Sequence, residues 1–229
     1  MSDFKRGFNS LFFPRSCSGC GQTLLKKETY ICISCIGSLP LTNSHLERDN
    51  LIERVFWGRI SVEKACSYVY FKQGSTVQSV MHHFKYKGKK EIGNVLGVLY
   101  ASDLLDSQFV SNIDLIIPVP IHPKKKELRG YNQSDFIAEG MASKLMIPWE
   151  SNYLKKVVET ESQTRKFRYD RWKNVETVFE VIQSDKIKNK HILLIDDVLT
   201  TGSTLEACAS AILKVPGTKV SIATIAVAL

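Results

Sequence analysis

No stretch of the 229-residue sequence approaches the roughly 20 consecutive apolar residues that a membrane-spanning helix requires, so membrane insertion is not expected. Near the N-terminus only Leu11, Phe12 and Phe13 run together. That is too short for the apolar core of a secretory signal, and a cytoplasmic protein is expected. No G-x-x-x-x-G-K-[ST] loop occurs, which disfavours a P-loop NTPase. Internal repeats and low-complexity tracts are also missing, so neither a solenoid nor a disordered tract is indicated. What remains, 44% hydrophobic and 24% charged residues, suits one full globular core with a small appendage.

The charge that is present is uneven. The formal total is +8, and residues 121–175 hold twelve Lys/Arg against seven Asp/Glu, whereas residues 176–229 are slightly acidic. A local basic surplus suits a polyanion, either pyrophosphate or nucleic acid, although a solvated basic face gives the same pattern.

Four of the six cysteines form two C-x-x-C pairs, Cys17 with Cys20 and Cys32 with Cys35, separated by eleven residues. In a reducing compartment this spacing points to a closed tetrahedral four-thiolate Zn²⁺ site, each pair making a knuckle that presents two sulfurs. Two disulfides or a redox C-x-x-C are the alternatives. Residues 11–40 carry too few apolar side chains to fold alone, so the metal should supply much of their stability. Such a site leaves no open coordination position, and its role is structural. Cys66 and Cys208 stand apart and are expected as small buried hydrophobes. The chain then divides into a zinc-binding module (1–45), a linker or single surface helix (46–60), and an α/β domain (61–229) with a mostly parallel sheet.

Within that domain the strand candidates are residues 67–71, 113–119, 177–182, 191–196 and 219–227, with 177–182 alternating weakly, as an edge or hood strand would. Helical spacing runs over Thr76–Tyr86 and Glu91–Leu105, and another helix is expected from Ser134 to Leu145. His82 and His83 are adjacent on the first of these helices, so a shared metal is not expected there. Residues 85–90, KYKGKK, read as a basic turn suited to a phosphate contact, or equally as an ordinary solvated turn.

The chain is organised around HILLIDDVLTTGSTLEACASAIL, residues 191–213. An apolar strand ends in Asp196 and Asp197. The small hydroxyl-rich turn Thr200, Thr201, Gly202, Ser203 and Thr204 follows, and then a helix with Ser203 or Thr204 as its N-cap. Backbone N–H groups and the positive end of the helix dipole converge at such a turn, which suits a phosphate. The same pattern also fits a Rossmann-like strand whose carboxylates cap the next turn, or a Walker-B-like magnesium site.

The ten residues 195–204, IDDVLTTGST, resemble the signature of type I phosphoribosyltransferases, which bind 5-phosphoribosyl 1-pyrophosphate (PRPP) with Mg²⁺. The resemblance implies that Asp196 and Asp197 accept hydrogen bonds from the ribose hydroxyls and that Thr200, Thr201, Gly202, Ser203 and Thr204 wrap the 5′-phosphate. Upstream, Pro118, Pro120, His122, Pro123 and residues 129–133, RGYNQ, are similar to the pyrophosphate-loop region of the ComF family, named for DNA uptake in natural transformation. That family also carries a four-cysteine zinc module, and the likeness continues through Gln163, Thr164, Arg171, Asn174 and Phe179. It implies pyrophosphate contacts from Arg129, Gly130 and His122, neutralised further by Mg²⁺. No hood that would select a purine or pyrimidine is recognisable, so the acceptor is invisible in the sequence.

Two functions follow. One is transfer of the phosphoribosyl group of PRPP or a related compound, with release of pyrophosphate. The other is a non-catalytic PRPP sensor or a binder of single-stranded DNA, or of a competence-helicase partner, in DNA uptake. For DNA the candidate surface interleaves Lys124, Lys125, Lys126, Arg165, Lys166 and Arg168 with Tyr131, Phe167, Tyr169 and Trp172.

Overall fold

A computed structural model describes residues 15–157 and 178–228. The central sheet has four parallel strands in the order β1 (Ala65–Tyr70), β6 (Lys219–Val227), β5 (His191–Leu199), β2 (Leu115–Pro118). Near-continuous apolar runs such as ILLI in β5 are what a strand covered on both faces requires, and Ile192 through Ile195 are all fully buried. Alternate residues serve opposite cores. Ile116, Leu193, Ile195, Ala223 and Ile225 face one, while Leu115, Ile117, Ile192, Leu194 and Ile222 face the other.

The first face is covered by α3 (Thr76–Tyr86), α4 (Glu91–Leu105), α6 (Gln133–Leu145) and the cysteine-bearing segment with its short helix α1 (Ile33–Gly37). The second holds α2 (Leu51–Arg54), α7 (Ser184–Ile187) and α8 (Ser203–Leu213). Both lateral edges of the sheet are blunted by short extensions, Leu41 bridging Val69 and Trp149 bridging Ile116. The α/β parallel architecture expected from sequence is therefore present.

Several elements differ from expectation. Residues 123–129, expected as loop, form α5 (Pro123–Arg129), because Pro123 sits in the first turn and the His122 ring accepts from the Lys124 N–H. Of the two alternatives for residues 177–182, an edge or a hood strand, the edge is excluded, because β4 (Phe179–Val181) lies outside the main sheet. It pairs antiparallel with β3 (Leu154–Lys156), which the sequence did not suggest. Residues 46–60, expected as a linker or single surface helix, include α2 and bury Ile52 and Phe56 completely under the sheet. Asn50 begins α2 by accepting from the Ile52 and Glu53 N–H groups, while its amide donates to the carbonyls of Ser44, Glu47 and Ala65. Cys66 and Cys208 are buried as expected. No described helix is long and apolar enough to cross a membrane.

Candidate functional site

β5 outruns its neighbour β2. Pro118 pairs with Ile195, and the last backbone bond between the two segments is Val119 N–H to Ile195 O at 2.8 Å, so β5 continues with one edge released. Asp196 and Asp197 lie at that release point, three and two residues before the strand's end rather than at its tip. This is the crevice beyond the carboxyl end of a shorter strand, where α/β sheets hold ligands. The gap is closed by the start of α6. The Asn132 amide donates to Val119 O at 3.0 Å and to Asp135, and the Ser134 hydroxyl donates to Asp196 Oδ1 at 3.0 Å.

The two carboxylates have different surroundings. Burial, and then the neighbouring charge of Asp197, push Asp196 up to about 7, against the opposing pull of the Asp197 N–H, Ser134 and Lys85. Asp197 instead makes an ion pair with Lys85 Nζ at 2.8 Å, both side chains largely shielded. Lys85 thus serves as a counter-ion to Asp197. Lys156 of β3 lies on the other side. Burial and Lys125 lower its ammonium, the Asp196 carboxylate opposes them, and its Nζ stands 5.4 Å from the centre of the Phe179 ring.

After β5 the chain turns through Thr200 and Thr201 into Gly202, which caps α8 with φ 76°. This corrects the expected Ser203 or Thr204 cap. Glycine is needed twice over: its backbone is left-handed, and a Cβ would stand 2.9 Å from Val55 Cγ1 and 3.2 Å from Phe56 Cε1. The Thr201 and Ser203 hydroxyls lie 3.1 Å apart at the mouth, and the first N–H groups of α8 have no partner within the helix. Asp196 and residues 198–205 line one hollow. The turn is braced from outside by Arg59, which donates to Thr201 O at 2.8 Å, to Val55 O at 3.1 Å, and to Glu206.

Arg129 and Gly130 end α5, Gly130 being left-handed at φ 80°. The Arg129 guanidinium lies 5.7 Å from the centre of the Tyr86 ring and donates to Gln133 Oε1 at 3.2 Å. Its two neighbours are thus one residue from Lys85 and one from Ser134, the partners of the carboxylate pair. His122 stands at the other end of α5 as its cap. Of the loop resemblance, Gln163, Thr164, Arg171 and Asn174, and of the DNA surface Arg165, Lys166, Phe167, Arg168, Tyr169 and Trp172, lie outside the described residues. Ser134, Arg59 and Lys156 were not singled out from the sequence. Only Ser134 had a local signal, its place directly after RGYNQ. A larger hollow of about 290 Å³ lies at the opposite end of the strands. Its lining groups are engaged with protein partners, the His191 ring with the buried Ser221 hydroxyl, the His191 N–H with Asp114, and Lys219 with Glu63.

The four expected thiols come together, all sulfurs within 4.8 Å of one another. The Cys17–Cys35 and Cys20–Cys32 separations are both 3.7 Å, close to the about 3.8 Å edge of a tetrahedron with 2.3 Å metal–sulfur bonds. Burial pushes the Cys17 thiol up, but the N–H groups of Cys20, Cys32 and Gly19 outweigh it and bring it to about 6, favouring the thiolate a metal needs. The donor set and its spacing fit a metal such as zinc.

The described residues thus combine a strand carrying paired carboxylates, a glycine-capped turn at a helix N-terminus and a thiol cluster that fits a metal. Residues 137–228 match the model of the phosphoribosyl transferase domain. The DNA utilization protein YhgH of Shigella flexneri is 26% identical over 202 residues, 86% of this chain and 84% of that one. Competence protein F of Haemophilus influenzae is 28% identical over 193 residues, 82% and 80% of the two chains. Among solved structures, adenine phosphoribosyltransferase from Leishmania tarentolae aligns at 13% identity and TM-score 0.39, covering 83% of this chain and 94% of that one. The chain is thus similar over most of its length to proteins named for DNA utilization and for competence, and its residues 137–228 match a phosphoribosyl transferase domain.

Proposed function

We propose that the protein binds PRPP, or a related phosphoribosyl compound, with Mg²⁺, and transfers the phosphoribosyl group to an acceptor with release of pyrophosphate. The observation that carries this is the sharing of one hollow by Asp196 and the Gly202-capped turn of residues 200–204, because a phosphorylated sugar needs hydroxyl acceptors and phosphate donors a few ångströms apart. In this reading the turn and the α8 N-terminus grip the 5′-phosphate, and Asp196 and Asp197 accept from the ribose hydroxyls. Arg129, Gly130 and His122 border the pyrophosphate. The acceptor's lone pair forms the new bond to C1 as the C1–O bond breaks and pyrophosphate leaves with that electron pair. Positive charge on the ribose peaks in the transition state of this displacement, where bond breaking runs ahead of bond forming, so positioning and electrostatics suffice and no protein nucleophile is needed. Mg²⁺ supplies charge neutralisation on the leaving pyrophosphate. Zn²⁺ at Cys17, Cys20, Cys32 and Cys35 is structural.

Calorimetric titration of PRPP with and without Mg²⁺ tests the binding, and a panel of acceptors assayed for pyrophosphate release tests the transfer. Saturable, Mg²⁺-enhanced binding is expected. Failure to bind PRPP under both conditions would overturn the proposal. The alternative of a single-stranded DNA surface draws on the exposed lysines 124–126 of α5 and on the words competence and DNA utilization in the relatives' names. If one basic surface serves both ligands, PRPP competes with DNA.

A further inference from the structure

The thiol cluster lies along α3, the helix that delivers Lys85 to Asp197. At the start of α3, Gly19 of the first knuckle sits so close that a Cβ there would stand 2.7 Å from Thr76 Cγ2 and 2.9 Å from Cys35 Sγ. Beyond its end, Lys89 Nζ donates to Ser18 Oγ at 3.2 Å. Ser18 is buried between the ligands Cys17 and Cys20, and its N–H donates to Tyr30 O at 2.8 Å. Tyr30 itself packs against the same apolar core. Between these polar contacts the packing is continuous: Cys17, Leu24, Ile31, Cys32 and Cys35 share one core with Val77, Val80, Met81 and Phe84 of α3.

We propose that the metal-binding module is a positioning element of the phosphoribosyl site. Metal held by the four thiols fixes α3, and α3 holds Lys85 against Asp197 and presents the Tyr86 ring under Arg129. The sign of the coupling follows from charge. Two adjacent carboxylates repel an incoming polyanion, Lys85 cancels one of them, and Arg129 is a cation on the expected pyrophosphate side. A module without metal cannot hold its own fold on so few apolar residues, so its contacts with α3 loosen together, the two cations lose their fixed places, and the polyanion binds more weakly. Lys85 is a positioning residue here, acting on the ligand through Asp197. The proposal rests on the phosphoribosyl reading above.

The experiment uses the full chain, zinc-loaded, stripped with chelator under reducing conditions, and reloaded. PRPP affinity measured by calorimetry should fall roughly tenfold on stripping and return on reloading. Linkage is reciprocal, so saturating PRPP should slow the loss of zinc to a competing chelator and raise zinc affinity by the same factor. Lys85→Met should bind PRPP more weakly when loaded and lose most of the metal dependence. Should the stripped chain unfold, Ser18→Ala keeps all four thiols and removes only the Lys89 acceptor. It should retain its zinc and weaken PRPP by roughly two- to fivefold. Amide hydrogen exchange over residues 76–90 should rise on metal removal whether or not ligand is present. Unchanged PRPP affinity in the stripped, folded chain and in Ser18→Ala would overturn the coupling. If the loaded protein binds no PRPP, the phosphoribosyl reading fails, and exchange in α3 still decides the mechanical link, with unchanged exchange refuting it.

Discussion

If the proposed function holds, Asp196 should tie ligand binding to pH, and the size of the effect follows from its surroundings. Burial and the Asp197 charge hold its carboxyl near 7, so about one molecule in ten has it ionised at pH 6 and about nine in ten at pH 8. Ribose hydroxyls donate more strongly to a carboxylate than to a carboxylic acid, so PRPP selects the ionised form. At pH 6 the proton must leave first, which weakens binding about tenfold, or about 1.4 kcal/mol. PRPP affinity should therefore rise about tenfold between pH 6 and pH 8, with about one proton released at the lower pH. Calorimetry in buffers of different ionisation enthalpy measures both quantities. The ligand's own phosphate groups titrate near pH 6 as well, so the informative quantity is the difference between the parent and Asp196→Asn, which keeps the ligand's contribution and removes the protein's. Identical pH slopes for the two chains would refute the reasoning. Stability without ligand should run the opposite way. Because the folded-state value lies above the unfolded one, the contribution of Asp196 is fully present below about pH 4 and is lost as pH rises through 7. Thermal unfolding of the parent should accordingly weaken relative to Asp196→Asn over that window.

Gly202→Val should lose binding of inorganic phosphate and lower stability by roughly 1–3 kcal/mol, since it forces a branched residue to φ 76° against Val55 and Phe56. Phosphate calorimetry and thermal unfolding check both, and binding equal to the parent would remove the turn from the site. Arg129→Ala should weaken PRPP more than ribose 5-phosphate, because the residue stands on the Tyr86 and Gln133 side of the carboxylates. Equal losses for the two ligands would mean that it acts through folding. Protein prepared without chelator should carry about one zinc per chain by metal analysis, and Cys20→Ser, which removes the one exposed thiol of the four, should release it faster to a competing chelator.

What the sequence made legible was contiguous. The strand, carboxylates and turn of residues 191–204 are covalent neighbours, and the bounds Thr76–Tyr86 and Glu91–Leu105 follow from uninterrupted helical spacing between Ser75, Gly88 and Asp106. The two C-x-x-C pairs are likewise local, and their convergence needs only one turn of chain. Short elements held by distant partners were not legible. Three residues of β3 become a strand only because Phe179–Val181 lies beside them. Residues 123–129 hid a helix behind three consecutive lysines, whose repulsion a sequence reading cannot weigh against Pro123 and the His122 cap.

The site itself shows the limit most clearly. Adjacent carboxylates on a half-buried strand edge are unfavourable alone, since each raises the electrostatic cost of ionising the other. Here the cost is met asymmetrically: Lys85 from α3 pairs with Asp197, whereas among the described residues Asp196 accepts hydrogen bonds from the neutral Ser134 hydroxyl of α6 and from a backbone N–H. Those partners stand 112 and 62 positions upstream. No local pattern announces them, yet they give the two carboxylates different surroundings. They also connect the motif to the helices on which the thiol cluster rests. The ligand's affinity, its pH dependence and its sensitivity to metal should therefore all pass through Lys85 and Ser134, two side chains outside the motif that first marks the site.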